Sequence, residues 1–144
     1  MHLLERCGIM IENPNKRKER AIMTRIETDR APGAIGPYSQ GYVVGDFVYT
    51  SGQIPVDPAN GQVPEGIAAQ AEMSCRNVSA ILEAAGTDLS KVIKTTCFLA
   101  DMGDFATFNE VYAKYFVGKP ARSCVAVKQL PKNVLCEIEA IAVL

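Results

Sequence analysis

Two segments of this chain, and only two, carry an apolar period of three and four. From about Pro64 to Ala85, the residues Ile67, Ala71, Cys75, Val78, Ile81, Leu82 and Ala85 recur at helical spacing. In the second segment Phe105, Phe108, Val111, Tyr112, Tyr115 and Phe116 do the same. Pro64 suits the first helix's entrance and Gly86 its end. Asp104 offers an N-cap for the second, and Gly118 and Pro120 stop it. Two helices can cover one face of a sheet. The other face is then left for something else to cover.

The remaining regular pattern is strand. YVVGDFVYTSG holds two β-rich runs about Gly45-Asp46, the signal of a two-residue hairpin. KVIKTTCFLA is a β-branched run. The last two strands read as 122–128 and 134–143, joined by QLPKN. APGAIGPYSQ and IPVDPANGQVP are loops punctuated by Pro, Gly and Asn-Gly. The order is β-β-α-β-α-β-β, an α+β chain with a mixed sheet covered on one face by both helices. Small residues are expected to dominate the uncovered face, which makes a second subunit its expected cover. The aromatic stripe of the second helix reads as core. The Asn77-Val78-Ser79 sequon falls inside the first helix and is discounted.

Residues 1–23 differ from the rest. ENPNKRKER is polar, with four basic residues in five positions, and reads as an N-terminal extension to a domain spanning 24–144. Met23 opens MTRIETDR and would serve as a start of its own. The length of 144 residues suits one domain, and 48% apolar with 22% charged residues is ordinary for a globular chain. No apolar run reaches the ~20 residues of a membrane span, and no secretory signal is evident. A net charge of −1 gives no footprint for nucleic acid. Five cysteines, no CxxC pair and a single His, His2, leave no metal site to propose. The cysteines read as reduced thiols of a cytoplasmic protein. A Ser-His or Cys-His mechanism would have to use His2, on a terminus expected to be loose.

The closing strands carry charges in apolar surroundings. Alternation puts Arg122 and Cys124 on one face of the first, and Glu137 and Glu139 on one face of the second. If the two strands pair, with Val125 and Val127 beside Ile138 and Ala140 under the helices, all four residues meet on the face away from the helices. One reading is a solvated ion pair of little consequence. The other is an anion site, a planar guanidinium gripping a carboxylate while a nearby Glu moves protons.

APGAIGPYSQ, TSGQIPVD, EAAG, VIKTTCFL, DFATFNEVYAKYF, PARSCVAV and LPKNVLCEIEAIA resemble, block after block, the RidA family, called YjgF or L-PSP in older usage. The resemblance runs from about Thr28 to Leu144, with a connector, VGK, shorter than the family often has. It implies a chorismate-mutase-like fold, a homotrimer and active sites in clefts between subunits. It also implies an enamine/imine deaminase that hydrolyses 2-aminoacrylate and related 2-imino acids to 2-keto acids and ammonia, without metal or cofactor. Residue by residue, the carboxylate-binding Arg falls on Arg122, the site Cys on Cys124 and the water-handling Glu on Glu137. The site Tyr falls on Tyr38. Ser51 and Gly52 line the same cleft, with Asn109 near its rim. Older attributions in the family, ribonuclease and translation inhibitor, stand as alternatives, as does a non-catalytic small-molecule-binding or chaperone-like trimer.

Overall fold

The structure is a computed structural model that describes residues 22–144. His2, Cys7 and all but the last two residues of the expected extension lie outside the described residues. One six-stranded sheet runs through the chain in the order β1-β2-β3-β6-β4-β5. Its strands are β1 (Met23–Ile26), β2 (Gly41–Val44), β3 (Phe47–Thr50), β4 (Val92–Leu99), β5 (Ala121–Ala126) and β6 (Cys136–Val143). The helices are α1 (Ile67–Ala84) and α2 (Phe105–Tyr115).

The expected hairpin is present, with β2 and β3 antiparallel about Gly45-Asp46. β1, which the sequence pattern did not reveal, pairs antiparallel with β2. It is four residues long with only Ile26 buried, too short and too exposed for an alternation to show. β6 lies between β3 and β4 and is antiparallel to both. β3 and β4 therefore run parallel, joined by α1. β4 and β5 form the one parallel pair, joined by α2. Each parallel relation needs a crossover longer than a hairpin, and the two helices supply it.

α1 starts at Ile67, three residues after Pro64, behind a Gly66 that makes no side-chain cap. It ends as expected: Ala85 is the C-cap and Gly86 follows at φ 88°, the left-handed turn that glycine adopts without a Cβ clash. α2 begins after Asp104, which makes no side-chain cap bond. Asp101 instead accepts from Gly103 N at 2.7 Å and holds the turn leading in. Ala71, Cys75, Val78, Ile81 and Leu82 of α1 and Phe108 and Tyr112 of α2, with Phe116 just beyond it, are buried against Val48, Cys97, Leu99, Cys136, Ile138, Ala140 and Ala142. Full burial of each large side chain contributes about 1.5–3 kcal/mol. The aromatic stripe is core, as expected. Asn77 is also buried, its side chain donating to Ile54 O and Val56 O, so it clamps a loop.

Two expectations need correction here. The closing strands do not pair with each other: β4 separates them, opposite Cys124 on one side through Cys97 and opposite Ile138 on the other. Their short linker suggested a hairpin, but α2 delivers β5 to the far edge of β4. Opposed residues share a face, so Arg122 and Cys124 lie with Thr95, Cys97 and Ile138 on the helix side. Glu137 and Glu139 lie with Phe98 and Thr96 on the open side. The four residues do not share a face. Nor is the open face dominated by small residues. Those sit under the helices as Cys136, Ala140 and Ala142, while the open face shows Tyr42, Phe47, Tyr49 and Val125, each 39–48% exposed.

Candidate active site

Each closing strand carries one half of a chemically coherent set. On the open face, Glu137 is half-buried beside the β3–α1 connection. Gln53 N donates to Ile138 O at 2.8 Å, which draws Ser51 and Gly52 against β6. Gly52 is required there by contact. A Cβ added to it would stand 1.9 Å from Glu137 Oε1 and 2.8 Å from its Cδ. The carboxylate thus packs with its Oε1 directly against Gly52. Burial first, and the Glu139 charge second, push the Glu137 carboxyl above the usual carboxylate range. A carboxylate raised toward neutrality is a better proton acceptor for work near pH 7.

Tyr38 is on the APGAIGPYSQ loop, and Gln40 pins that loop. Its buried amide accepts from Thr28 N at 2.8 Å and donates to Thr28 O and Pro32 O at 2.9 Å each. Ser51 Oγ donates to Ser39 O at 2.5 Å, tying this loop to the Gly52 segment. Tyr38 is 48% exposed, with its hydroxyl accepting from Ile35 N at 3.2 Å. Tyr38 and Gly52 line one small cavity of about 40 Å³, together with Pro32, Ile35 and Lys132. Lys132, which sequence reasoning passed over, sits at φ 55° in the left-handed region disfavoured for a side chain of this kind. No sequence signal marks it beyond its place in LPKN.

On the helix face, at the edge strand, Arg122 Nη1 donates to Asn109 Oδ1 at 2.8 Å. Its guanidinium carbon lies 4.8 Å from the Tyr112 ring centroid and 5.5 Å from that of Phe105. None of the three ion pairs among the described residues includes it. A guanidinium held by an amide and aromatic rings, with no carboxylate partner among the described residues, keeps donors free for an anion. Cys124 is half-buried beside it. Burial raises its thiol pKa, against a smaller lowering by Arg122, so the thiol is protonated at neutral pH. Among the described residues the cysteines are free, and no cluster of three or more His, Cys, Asp and Glu is placed to hold a metal.

The structure therefore brings Tyr38, Ser51, Gly52 and Glu137 together, and brings Asn109, Arg122 and Cys124 together. Within one chain the two groups lie on opposite faces of the sheet.

Three kinds of likeness bear on this arrangement. Residues 28–144 match the family described as Endoribonuclease L-PSP. A 2-iminobutanoate/2-iminopropanoate deaminase of Escherichia coli K12 is 54% identical over 122 residues, 82% of this chain and 95% of that protein. One with the same description from Salmonella typhimurium LT2 is 55% identical over the same extent. The crystal structure of E. coli TdcF with bound serine matches with a TM-score of 0.82 at 54% identity, covering 84% of this chain and 98% of that one. The fold is thus that of the chorismate-mutase-like L-PSP proteins. Matched over nearly all of its described length, with the sequence blocks in order and the six-stranded sheet in place, the chain belongs to the L-PSP family, which is the RidA family.

Proposed function

We propose that this chain is an enamine/imine deaminase, hydrolysing 2-aminoacrylate and related 2-imino acids to 2-keto acids and ammonia. We infer further that it works as a homotrimer in which Arg122 of one subunit and Glu137 of the next form one site. The observation that carries the reading is the presence of two unlike halves: among the described residues Arg122 has no carboxylate partner, and the partly desolvated Glu137 has no cation. A 2-imino acid needs both. The names of the close relatives support the reaction, and serine in the TdcF structure supports an amino-acid-sized ligand. The open face supports the assembly. Its exposed Tyr42, Phe47, Tyr49 and Val125 form the kind of apolar surface that a single soluble chain seldom leaves uncovered.

The chemistry is short. Arg122 grips the substrate carboxylate, and Asn109 fixes the guanidinium. The imine carbon is already electrophilic. The backbone N–H of Cys124 and the carbonyl of Gly52 orient the imine end. Glu137 takes a proton from water as the oxygen bonds to carbon. It passes that proton to the imine nitrogen, giving a carbinolamine, then takes the hydroxyl proton and delivers it to the amine as the carbon–nitrogen bond breaks, so imine and water become keto acid and ammonia. Tyr38 closes the cleft and donates a hydrogen bond. Residues 1–23 stand as an extension outside this machinery, and the free cysteines fit a cytoplasmic protein. The ribonuclease reading has only names behind it, the family's description and those of some related structures, since net charge is −1 and the sole His is His2. Pyruvate release from enzymatically generated 2-aminoacrylate tests the proposal: acceleration by the purified chain is expected, and none at micromolar protein would overturn it.

A further inference from the structure

Beneath Arg122 lies a buried polar contact that the reaction does not use. Thr95 is fully buried in β4, and its hydroxyl shares a 2.6 Å hydrogen bond with that of Tyr112 on α2. Cys97 Sγ lies 3.9 Å behind, pointing its weak donor at the same Thr95 oxygen. Tyr112 is itself 8% exposed and stacks on Phe116 with centroids 4.4 Å apart. Its ring is therefore fixed at the hydroxyl end by a hydrogen bond and along one flank by an aromatic. The Arg122 guanidinium rests 4.8 Å from that ring. A core made only for packing would place phenylalanine here, as it does at Phe108 and Phe116, with no hydroxyl to satisfy.

We propose that Tyr112, locked by Thr95, is a positioning residue for the substrate carboxylate: it sets the plane of the Arg122 fork, while Asn109 sets its rotation. The inference rests on Arg122 being the carboxylate site. Asn109 occupies one Nη1 hydrogen, and the Tyr112 and Phe105 rings lie against the guanidinium carbon. What remains is the edge facing away from both, so a carboxylate binds in the guanidinium plane. A flexible arginine would lose orientation on binding, and a locked one loses little. Asn109, placed at the cleft rim by resemblance, acts on this reading through Arg122.

The test compares Tyr112→Leu, Tyr112→Phe and Thr95→Val in the full chain, with 2-oxobutanoate as binding probe and the imine as substrate. Tyr112→Leu is expected to weaken 2-oxobutanoate binding and raise KM by about tenfold, the scale of a partly desolvated cation–π contact. The drop in kcat should be smaller. Tyr112→Phe keeps the ring and recovers most of that loss. A purely structural tyrosine would instead lower the melting temperature in Tyr112→Leu and leave KM of the folded fraction untouched, which would overturn the proposal. Should Tyr112→Leu not fold, Thr95→Val decides: it keeps the ring and removes its lock. Binding weakened about threefold supports the proposal, and binding equal to wild type overturns it. Failure of the wild-type chain to bind 2-oxobutanoate would sink the carboxylate site itself, and this inference with it. Wild-type binding that none of the three variants alters would sink the inference alone.

Discussion

The two faces of the sheet treat their charged residues differently. On the helix face, Arg122 sits at the border of the core, held by Asn109, Tyr112 and Phe105. On the open face, Glu137 lies on a glycine backbone with another carboxylate two residues along. A stability-driven design would have paired a cation with an anion on one face, since unpaired, partly buried charges are costly. Here, among the described residues, each face tolerates a charge without an ionic partner, and the two are of opposite sign. The cost is sensible if the missing partner arrives with the substrate and a neighbouring subunit.

Breaking the open-face half should have the largest effect. Glu137→Gln keeps shape and removes the base, so turnover should fall ~10²–10⁴-fold while 2-keto acid binding persists. Gly52→Ala should match it without touching the carboxylate chemically, because its Cβ occupies the space of Glu137 Oε1. Near-normal steady-state rates in either variant would end the assignment of Glu137. Breaking the helix-face half comes next. Arg122→Lys puts an ammonium where a planar fork is needed, so it should raise KM about 10–100-fold and lower kcat as the imine loses alignment. An unchanged KM would show that the carboxylate binds elsewhere.

Cys124→Ser should cost less, within about fivefold, since the thiol is protonated and only its backbone N–H is assigned a contact. A collapse of several orders of magnitude, with a covalent adduct visible by mass spectrometry, would make the thiol a nucleophile. The smallest effect sharpens the contrast through pH. The folded pKa of Glu137 is raised, so the stability tied to its protonated form is full below the unfolded value and is lost as pH rises through the folded one. Glu137→Gln should therefore raise the melting temperature at pH 7 by about 1–3 °C and leave it unchanged below about pH 4. A lower melting temperature at pH 7 would mean that a cation already faces Glu137 in the assembly, with no gap for substrate.

The sequence made some of this legible and hid the rest for identifiable reasons. Alternation within CEIEAIAV and ARSCVA marked Glu137 and Arg122 as charges in apolar strands, because period two survives whatever the strand's neighbours are. Which strands adjoin is a long-range choice. A short QLPKN linker looked like a hairpin, while the parallel pairing of β5 with β4 depends on where α2 lands. Gly52 was found by its family block, and its physical reason, a backbone pressed on a carboxylate, exists only after folding. Tyr112 was read as core and is core. Nothing in FNEVYAKYF distinguishes a packed ring from one that also supports a guanidinium.

The central claim is that one site takes its arginine and its glutamate from different chains, and subunit mixing tests it most directly. Arg122→Ala and Glu137→Gln proteins, each inactive alone, would be unfolded together in equal amounts, refolded, and assayed for imine hydrolysis. In a cyclic trimer each mixed assembly contains one interface with both native residues, so activity should return to about a quarter of the wild-type rate. If each chain carries a whole site of its own, the mixture stays as inactive as its parts, and the account of a divided site is wrong.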